Sequence, residues 1–526
     1  MQKQLSHNWV ISKNLLRFLT IAILVTGIFF RFVNIDRKIY WNDEVYSSLR
    51  ISGYLESDMN QQLRDGHLLT IEDLHKYQYP NSEKGTVDTI KGLIAEESQV
   101  VPLYFVMLRF WVEWFGNSIA VTRSFSAFIS LLTFPCLYWL CKELFDSSLI
   151  GWMSIVLIAI SPLHVLYAQE ARTYSLWVVA ILVSSAALLR AMRLKTKVSW
   201  CIYAATLVLG FYSHLFFSLI AIGQGIYVVV TERFRLTKTS IYYLFSFIAG
   251  LITFLPWIWI IITHPTPDKI SWVNAKQTLF QSSVRWIGII SRAFLDLGIS
   301  PSDPVKYQIA LIPFILIILA LIIYSIYVLC RRTSKEVWLF ILLMIGSIGL
   351  PLLVIDLVFE KRYASTRYLL PVVLGMELAV AYLFTIKLTS TSSTIWQKKL
   401  WSVATSLVII SGIISCTLSS QAQIWWIKVP QRYQEDPEIA KILSQVNKPL
   451  LISDADIILI QTLGHLLDPK VRLQLVAEQQ LPKITNGFTD IFLFKPSDFL
   501  KTGIEKIYNS KLQQIDKALW KVTKSI

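Results

Sequence analysis

Charge is scarce in this chain. Of its 526 residues, 16% are Asp, Glu, Lys or Arg, against about 25% in an ordinary soluble domain. A soluble fold of this length would need more charge to cover its surface. The same shortage excludes disorder, because disordered chains combine low hydrophobicity with high charge. Cysteine is scarce too. The five present, Cys136, Cys141, Cys201, Cys330 and Cys416, lie in or beside apolar runs without metal-ligand spacing. That excludes a disulfide scaffold and leaves them as small packing residues. The abundant material is apolar: 54% of residues, with a mean hydropathy of +0.52. The chain reads as a polytopic helical membrane protein.

The net charge of +15 raises the question of nucleic acid. No basic helix with interleaved aromatics is present, so nucleic-acid binding is set aside. The basic residues sit instead in short loops between apolar runs, as the positive-inside rule requires. A spanning helix needs about 20 mostly apolar residues. Eleven runs qualify: 17–33, 119–141, 149–168, 173–192, 199–213, 214–231, 240–262, 307–329, 336–355, 367–388 and 399–418. The fifth and sixth form a tight hairpin. The run 101–115 is short and carries Arg109 and Glu113, so it reads as a helix lying in the interface. With Lys3, Lys13 and Arg17 cytoplasmic, the short inner loops and the N-terminus together hold 17 basic residues. The large first loop, 34–118, holds 13 acidic and 8 basic residues and falls on the outer face.

Eleven crossings put the tail, 425–526, outside as well. Its short apolar runs at 449–453, 471–476 and 490–495 alternate with helix-like segments such as 436–446. That texture predicts a small α/β domain. No Gly-rich phosphate loop or catalytic triad is visible in it.

With this topology the unusual polar residues gather on the outer side. Asp36, Asp43 and Glu44 follow the first span, and Arg123 lies near the outer end of the second. His164, Gln169, Glu170 and Arg172 lie between the third and fourth, and Tyr212 and His214 at the hairpin. His264, Asp268 and Lys269 follow the seventh, and Lys361, Arg362, Arg367 and Tyr368 precede the tenth. A carboxylate at the membrane surface can serve as general base for an acceptor hydroxyl or amine. Arg fits phosphate bidentately and stabilises charge developing on a phosphate leaving group. A phosphate on a long lipid explains why such a site is embedded among helices.

Each element has a plainer reading. Asp43–Glu44 can be a solvated loop pair, and Glu170–Arg172 an internal ion pair at a helix cap. Arg367–Tyr368 can be a snorkelling Arg with an aromatic-belt Tyr, the commoner case. His214 alone is more often a packing residue than a ligand. Glu377, about ten residues into the tenth span, is costly there. It either has a function or faces the bundle protonated or paired.

The motifs occur in a telling order. Trp41-x-Asp43-Glu44 is followed by Pro102-Leu103-Tyr104, Phe115-Gly116-Asn117-Ser118, Arg123 and Ser161-Pro162-Leu163-His164. Then come Tyr167-Ala-Gln-Glu-Ala-Arg172-x-Tyr174 and Arg367-Tyr368-Leu-Leu-Pro371. Over residues 1–390 this resembles the GT-C membrane glycosyltransferases. It is similar to the protein O-mannosyltransferases, aminoarabinose transferases and rhizobial lipopolysaccharide-core galacturonosyltransferases. The resemblance implies a polyprenyl-phosphate sugar donor and an inverting, single-displacement transfer outside the cytoplasmic membrane. Carried over by position, Asp43 is the catalytic carboxylate, with Glu44 beside it. Arg172 and Arg367 lie near the donor phosphate, and Tyr368, Arg123, Glu170 and His214 complete the candidate binding set. Relatives often have His-Pro before the interfacial helix; here Gln99-Val100-Val101 precedes Pro102. The missing His weakens any second catalytic or metal role at that site. A divalent ion on Asp43, Glu96 and Glu97 stays open, and no cofactor beyond the lipid-linked donor is implied.

The expectation is therefore an all-α polytopic core, residues 1–420, with an α/β extracytoplasmic domain, 425–526, in the cell membrane. It would glycosylate a glycolipid, an envelope glycan or a protein on the extracytoplasmic face. The competing reading is a transporter or flippase of an anionic lipid-linked sugar, which Glu377 favours. Against it, no internal repeat is visible and the polar groups cluster at one face.

Overall fold

The structure is a computed structural model and describes residues 13–266, 273–301, 303–391, 394–484 and 487–524. Lys3, Asp268 and Lys269 lie outside the described residues. All eleven apolar runs are helical. Among the described residues, seven helices are long and apolar enough to cross a membrane, or eight if the bent pair Ser148–Ala159 and Pro162–Ala168 is one span. The other three of the eleven are Lys13–Phe32, Lys197–Ser213 and Phe217–Thr231. Lys197–Ser213 has 17 residues and Phe217–Thr231 has 15. At 1.5 Å per residue each is several ångströms short of the roughly 30 Å hydrocarbon core. The pair bends by 64° at Ser161-Pro162. Pro162 is the first residue of the second helix, where its missing N–H costs nothing.

Burial separates the helices into two classes. Tyr174–Leu194 and Thr366–Thr389 are apolar on all sides and almost wholly enclosed, so they form the centre of the bundle. Lys238–Thr263, Val305–Arg332 and Ile395–Gln421 expose most of their apolar surface. Leu103–Phe115, the expected interfacial helix, buries Tyr104, Phe105, Leu108 and Val112 and exposes Phe110, Trp114 and Phe115. Its Arg109 is not a surface charge. It donates to the carbonyls of Ile51 (2.6 Å) and Lys84 (2.5 Å) and so ties down the first loop.

The tail forms the expected strands β2 (Pro449–Ser453), β3 (Arg472–Val476) and β4 (Asp490–Phe494), with the helix Asp436–Ser444. Three further strands complete a six-stranded sheet of order β1-β3-β2-β4-β6-β5. β5 (Ser510–Asp516) and β6 (Leu519–Lys524) form an antiparallel hairpin on β4. β1 (Asp65–Leu69) comes from the first loop and pairs antiparallel with β3, with Leu69 opposite Leu473. One apolar core joins Tyr40, Val45, Leu49 and Leu69 of that loop to Ile439, Leu463 and Leu473 of the tail. The first loop and the tail thus share one sheet and one core across the boundary expected at 425.

Candidate active site

The first loop turns straight into the helix Asn42–Ser52, which places Asp43 and Glu44 in its first turn. Acids are favourable there, where the helix dipole is positive. The two adjacent carboxylates have opposite fates. Asp43 is 15% exposed at its side chain and forms an ion pair with Arg367 Nη1, itself 16% exposed. Glu44 is fully buried. Its carboxylate accepts from Arg123 Nε and Nη2, from Lys428 Nζ at 2.7 Å and from the Ala171 amide at 3.1 Å. Burial pushes the Glu44 carboxyl up, but Arg123 and Lys428 outweigh it and hold its pKa at about 2.

The segment 169–172 is a clamp on that turn. Gln169 donates to the carbonyls of Phe30 (2.8 Å) and Val33 (2.9 Å) and accepts from Lys38 Nζ (3.1 Å). Glu170 accepts from Trp41 Nε1 through Oε1, while its buried Oε2 has no hydrogen-bond partner among the described residues. The Ala171 amide holds Glu44. Arg172 Nη1 donates to the Asp43 carbonyl oxygen and to Ser47 Oγ, both at 3.2 Å. Four consecutive residues therefore grip the first-loop turn, which accounts for the Gln-Glu-Ala-Arg run. Burial is the main cause that raises the Glu170 carboxyl to about 7; Lys428 opposes it, and Glu44 and Asp43 add to it.

Of the sequence-predicted site residues, Asp43, Arg172, Arg367 and Tyr368 come together in half-open surroundings. The Arg367 guanidinium lies 5.2 Å from the Tyr368 ring centroid. His214 sits at the tip between Lys197–Ser213 and Phe217–Thr231, with its ring 6.0 Å from that of Tyr368. Arg123 is not at the open face. It is fully buried and spends its donors on Glu44 and on the carbonyls of Ile35, Lys38 and Ile39. Glu96 and Glu97 are drawn to Arg50, each 2.7 Å from it, and not to Asp43. Among the described residues no three His, Cys, Asp or Glu side chains gather as a metal site. His264 is exposed and bonds to its neighbour Thr263.

Three participants escaped the sequence reading. Lys428 follows the last span-length helix, Ile395–Gln421, and reads as an ordinary juxtamembrane lysine, yet it neutralises Glu44. Lys38 is buried too, and burial first, then Lys428 and Arg123, lowers its pKa to about 7. Arg31 donates to Ser130 Oγ and to the carbonyls of Gly27, Ile158 and Ala159. No local signal distinguishes these from surface cations. Glu377 is buried with His164 Nε2 3.2 Å from its Oε2, near enough for an ion pair but out of line for a hydrogen bond.

The backbone supplies the decisive likeness. ArnT from Cupriavidus metallidurans bound to undecaprenyl phosphate superposes with a TM-score of 0.54, covering 97% of this chain and 98% of that one at 11% identity. The fold is GT-C. ArnT from the same organism in the apo state matches with a TM-score of 0.52 over 96% of this chain and 97% of that one, at 12% identity. A family model described as dolichyl-phosphate-mannose-protein mannosyltransferase matches residues 99–260. That stretch of the GT-C core includes Arg123, Glu170, Arg172 and His214, and ends before Arg367. A sequence search of curated proteins found no match.

Proposed function

We propose that this protein is a membrane glycosyltransferase that moves a sugar from a polyprenyl-phosphate donor to an extracytoplasmic acceptor. The observation that carries the reading is the Asp43–Arg367–Arg172 group. One partly open carboxylate sits beside two guanidiniums at the end of the bundle, and the Arg172 Nε is buried without a hydrogen-bond partner among the described residues. Support comes from the mannosyltransferase family model and from the GT-C fold shared with an ArnT that binds undecaprenyl phosphate. Asp43 acts as general base on the acceptor hydroxyl or amine as it attacks the anomeric carbon. Arg172 and Arg367 hold the donor phosphate and stabilise the charge it gains on leaving. Displacement from the opposite face inverts the anomeric centre. The donor phosphate competes with Asp43 for Arg367, so its arrival frees the carboxylate for the acceptor.

Glu44 and Arg123 take an architectural role in this scheme. Both are sealed from any substrate, and with Lys428 they hold the turn that presents Asp43. Glu170 is a positioning residue behind the same turn. The test is transfer from synthetic polyprenyl-phosphate sugars to an envelope extract by the purified protein. Mass spectrometry of envelope glycans and glycolipids from a deletion strain would name the product. A transporter would move the same lipid without forming a glycosidic bond, so lipid flipping without transfer would overturn the reading.

A further inference from the structure

The tip between Lys197–Ser213 and Phe217–Thr231 carries more order than a turn needs. The His214 ring stacks on Trp177, with centroids 4.1 Å apart and planes at 15°. Its Nδ1 accepts a hydrogen bond from the Phe216 amide at 3.1 Å. An imidazole that accepts at Nδ1 is neutral and carries its proton on Nε2. That Nε2–H makes no hydrogen bond among the described residues. The stack fixes the plane of the ring, and the Phe216 amide fixes its tautomer. Together they aim one donor.

Two rings stand beside it. Tyr368 lies 6.0 Å from His214, and Phe216 lies edge-on to Tyr368 at 5.0 Å. All three side chains are half-buried. Both Arg172 and Arg367 are near enough to act electrostatically on His214. We propose that His214, Tyr368 and Phe216 form the subsite for the ring of the transferred sugar, with His214 Nε2–H donating to a ring hydroxyl. This rests on the donor reading above. A sugar joined to a phosphate held by Arg172 and Arg367 must place its ring close to them, and Tyr368 links the two places: its ring lies 5.2 Å from the Arg367 guanidinium and 6.0 Å from the His214 ring. Aromatic faces are electron-rich and attract the weakly positive C–H groups of a pyranose face. An isoprene unit fits the place less well, because hydrocarbon would leave the His214 N–H unsatisfied.

The test compares binding of decaprenyl phosphate with binding of decaprenyl-phosphate-linked mannose, glucose, galacturonic acid and 4-aminoarabinose, by native mass spectrometry of the full-length protein. The readout is the ratio of Kd for the bare lipid to Kd for each sugar-bearing lipid. In the wild type this ratio should exceed one for at least one sugar. His214→Phe keeps a ring against Trp177 but removes the donor, so the ratio should fall roughly tenfold, as for one lost hydrogen bond. His214→Gln keeps an N–H donor and should retain most of it. A Phe variant that weakens bare and sugar-bearing lipids equally would overturn the subsite, as would a wild-type ratio of one for every sugar. Failure of all five lipids to bind would overturn the donor reading itself and the subsite with it. If the Phe variant fails to fold, the Gln variant decides: a ratio collapsed to one despite its donor overturns the subsite, and a retained ratio supports it.

Discussion

Replacing Glu44 by Gln should destabilise the packing around the first loop rather than silence a folded enzyme. The substitution keeps the shape of the side chain and removes its charge from between two buried cations. Arg123 and Lys428 would then face each other uncompensated, with Lys38 close by. Breaking a buried ion pair by removing one partner costs about 3–5 kcal/mol. The titration of Glu44 leads to a similar figure. Its pKa falls from 4.5 to about 2 on folding because the two cations outweigh burial, and that drop corresponds to about 3 kcal/mol. A carboxyl whose pKa is lower in the folded state contributes stability above its unfolded pKa and loses it as pH falls. The contribution should therefore be complete above pH 4.5 and vanish towards about 2. Thermal unfolding in detergent across this range measures it. The Tm gap between wild type and Glu44→Gln should be wide at neutral pH and close on acidification. The Glu44→Gln/Lys428→Met pair should show a coupling energy of about 1–3 kcal/mol. A Glu44→Gln protein with wild-type Tm and no transfer would refute the reasoning and return Glu44 to the chemistry.

Asp43→Asn should behave in the opposite way, with a Tm near that of the wild type and transfer slowed ~10²–10⁴-fold, as for a lost general base. Arg172→Lys and Arg367→Lys should each raise the donor KM, because an ammonium cannot form the forked contact with phosphate; equal rates with Arg and Lys at both positions would leave only an interfacial role. Glu170 titrates near 7, above its ordinary 4.5, so its proton contributes stability below 4.5 that is lost as pH rises through about 7. Glu170→Gln can still accept from Trp41 and should flatten that slope in Tm against pH. Leu69→Ala, buried where β1 meets β3, should cost about 2–5 kcal/mol and speed proteolysis of the tail, although it lies hundreds of residues earlier in the chain.

Much of the fold was legible residue by residue. Each apolar run is a helix because its hydropathy leaves the backbone no better way to satisfy its hydrogen bonds among other apolar helices. The strands β2, β3 and β4 fall on the short runs that read as strands. β1, the sequence DGHLL, was not legible. It is short and polar at its start, and it is a strand because β3 presents an open edge to it.

The site divides along the same line. Composition, run length and the order of polar motifs place Asp43, Arg172, Arg367 and Tyr368 at one end of the bundle. Those features are local, and topology alone carries them to one face. Which carboxylate of the Asp43–Glu44 pair meets the open site was decided only when the chain closed. Each residue step along a helix turns the side chain by about 100°, so one points into the gap by Arg367 and the other into the core. A charge sent into the core must be paired, and the pairing is indifferent to distance along the chain. Arg123 answers Glu44 from 79 residues away and Lys428 from 384. No periodicity or spacing encodes those partners. Burial of the charge requires them, and only the tertiary structure supplies them.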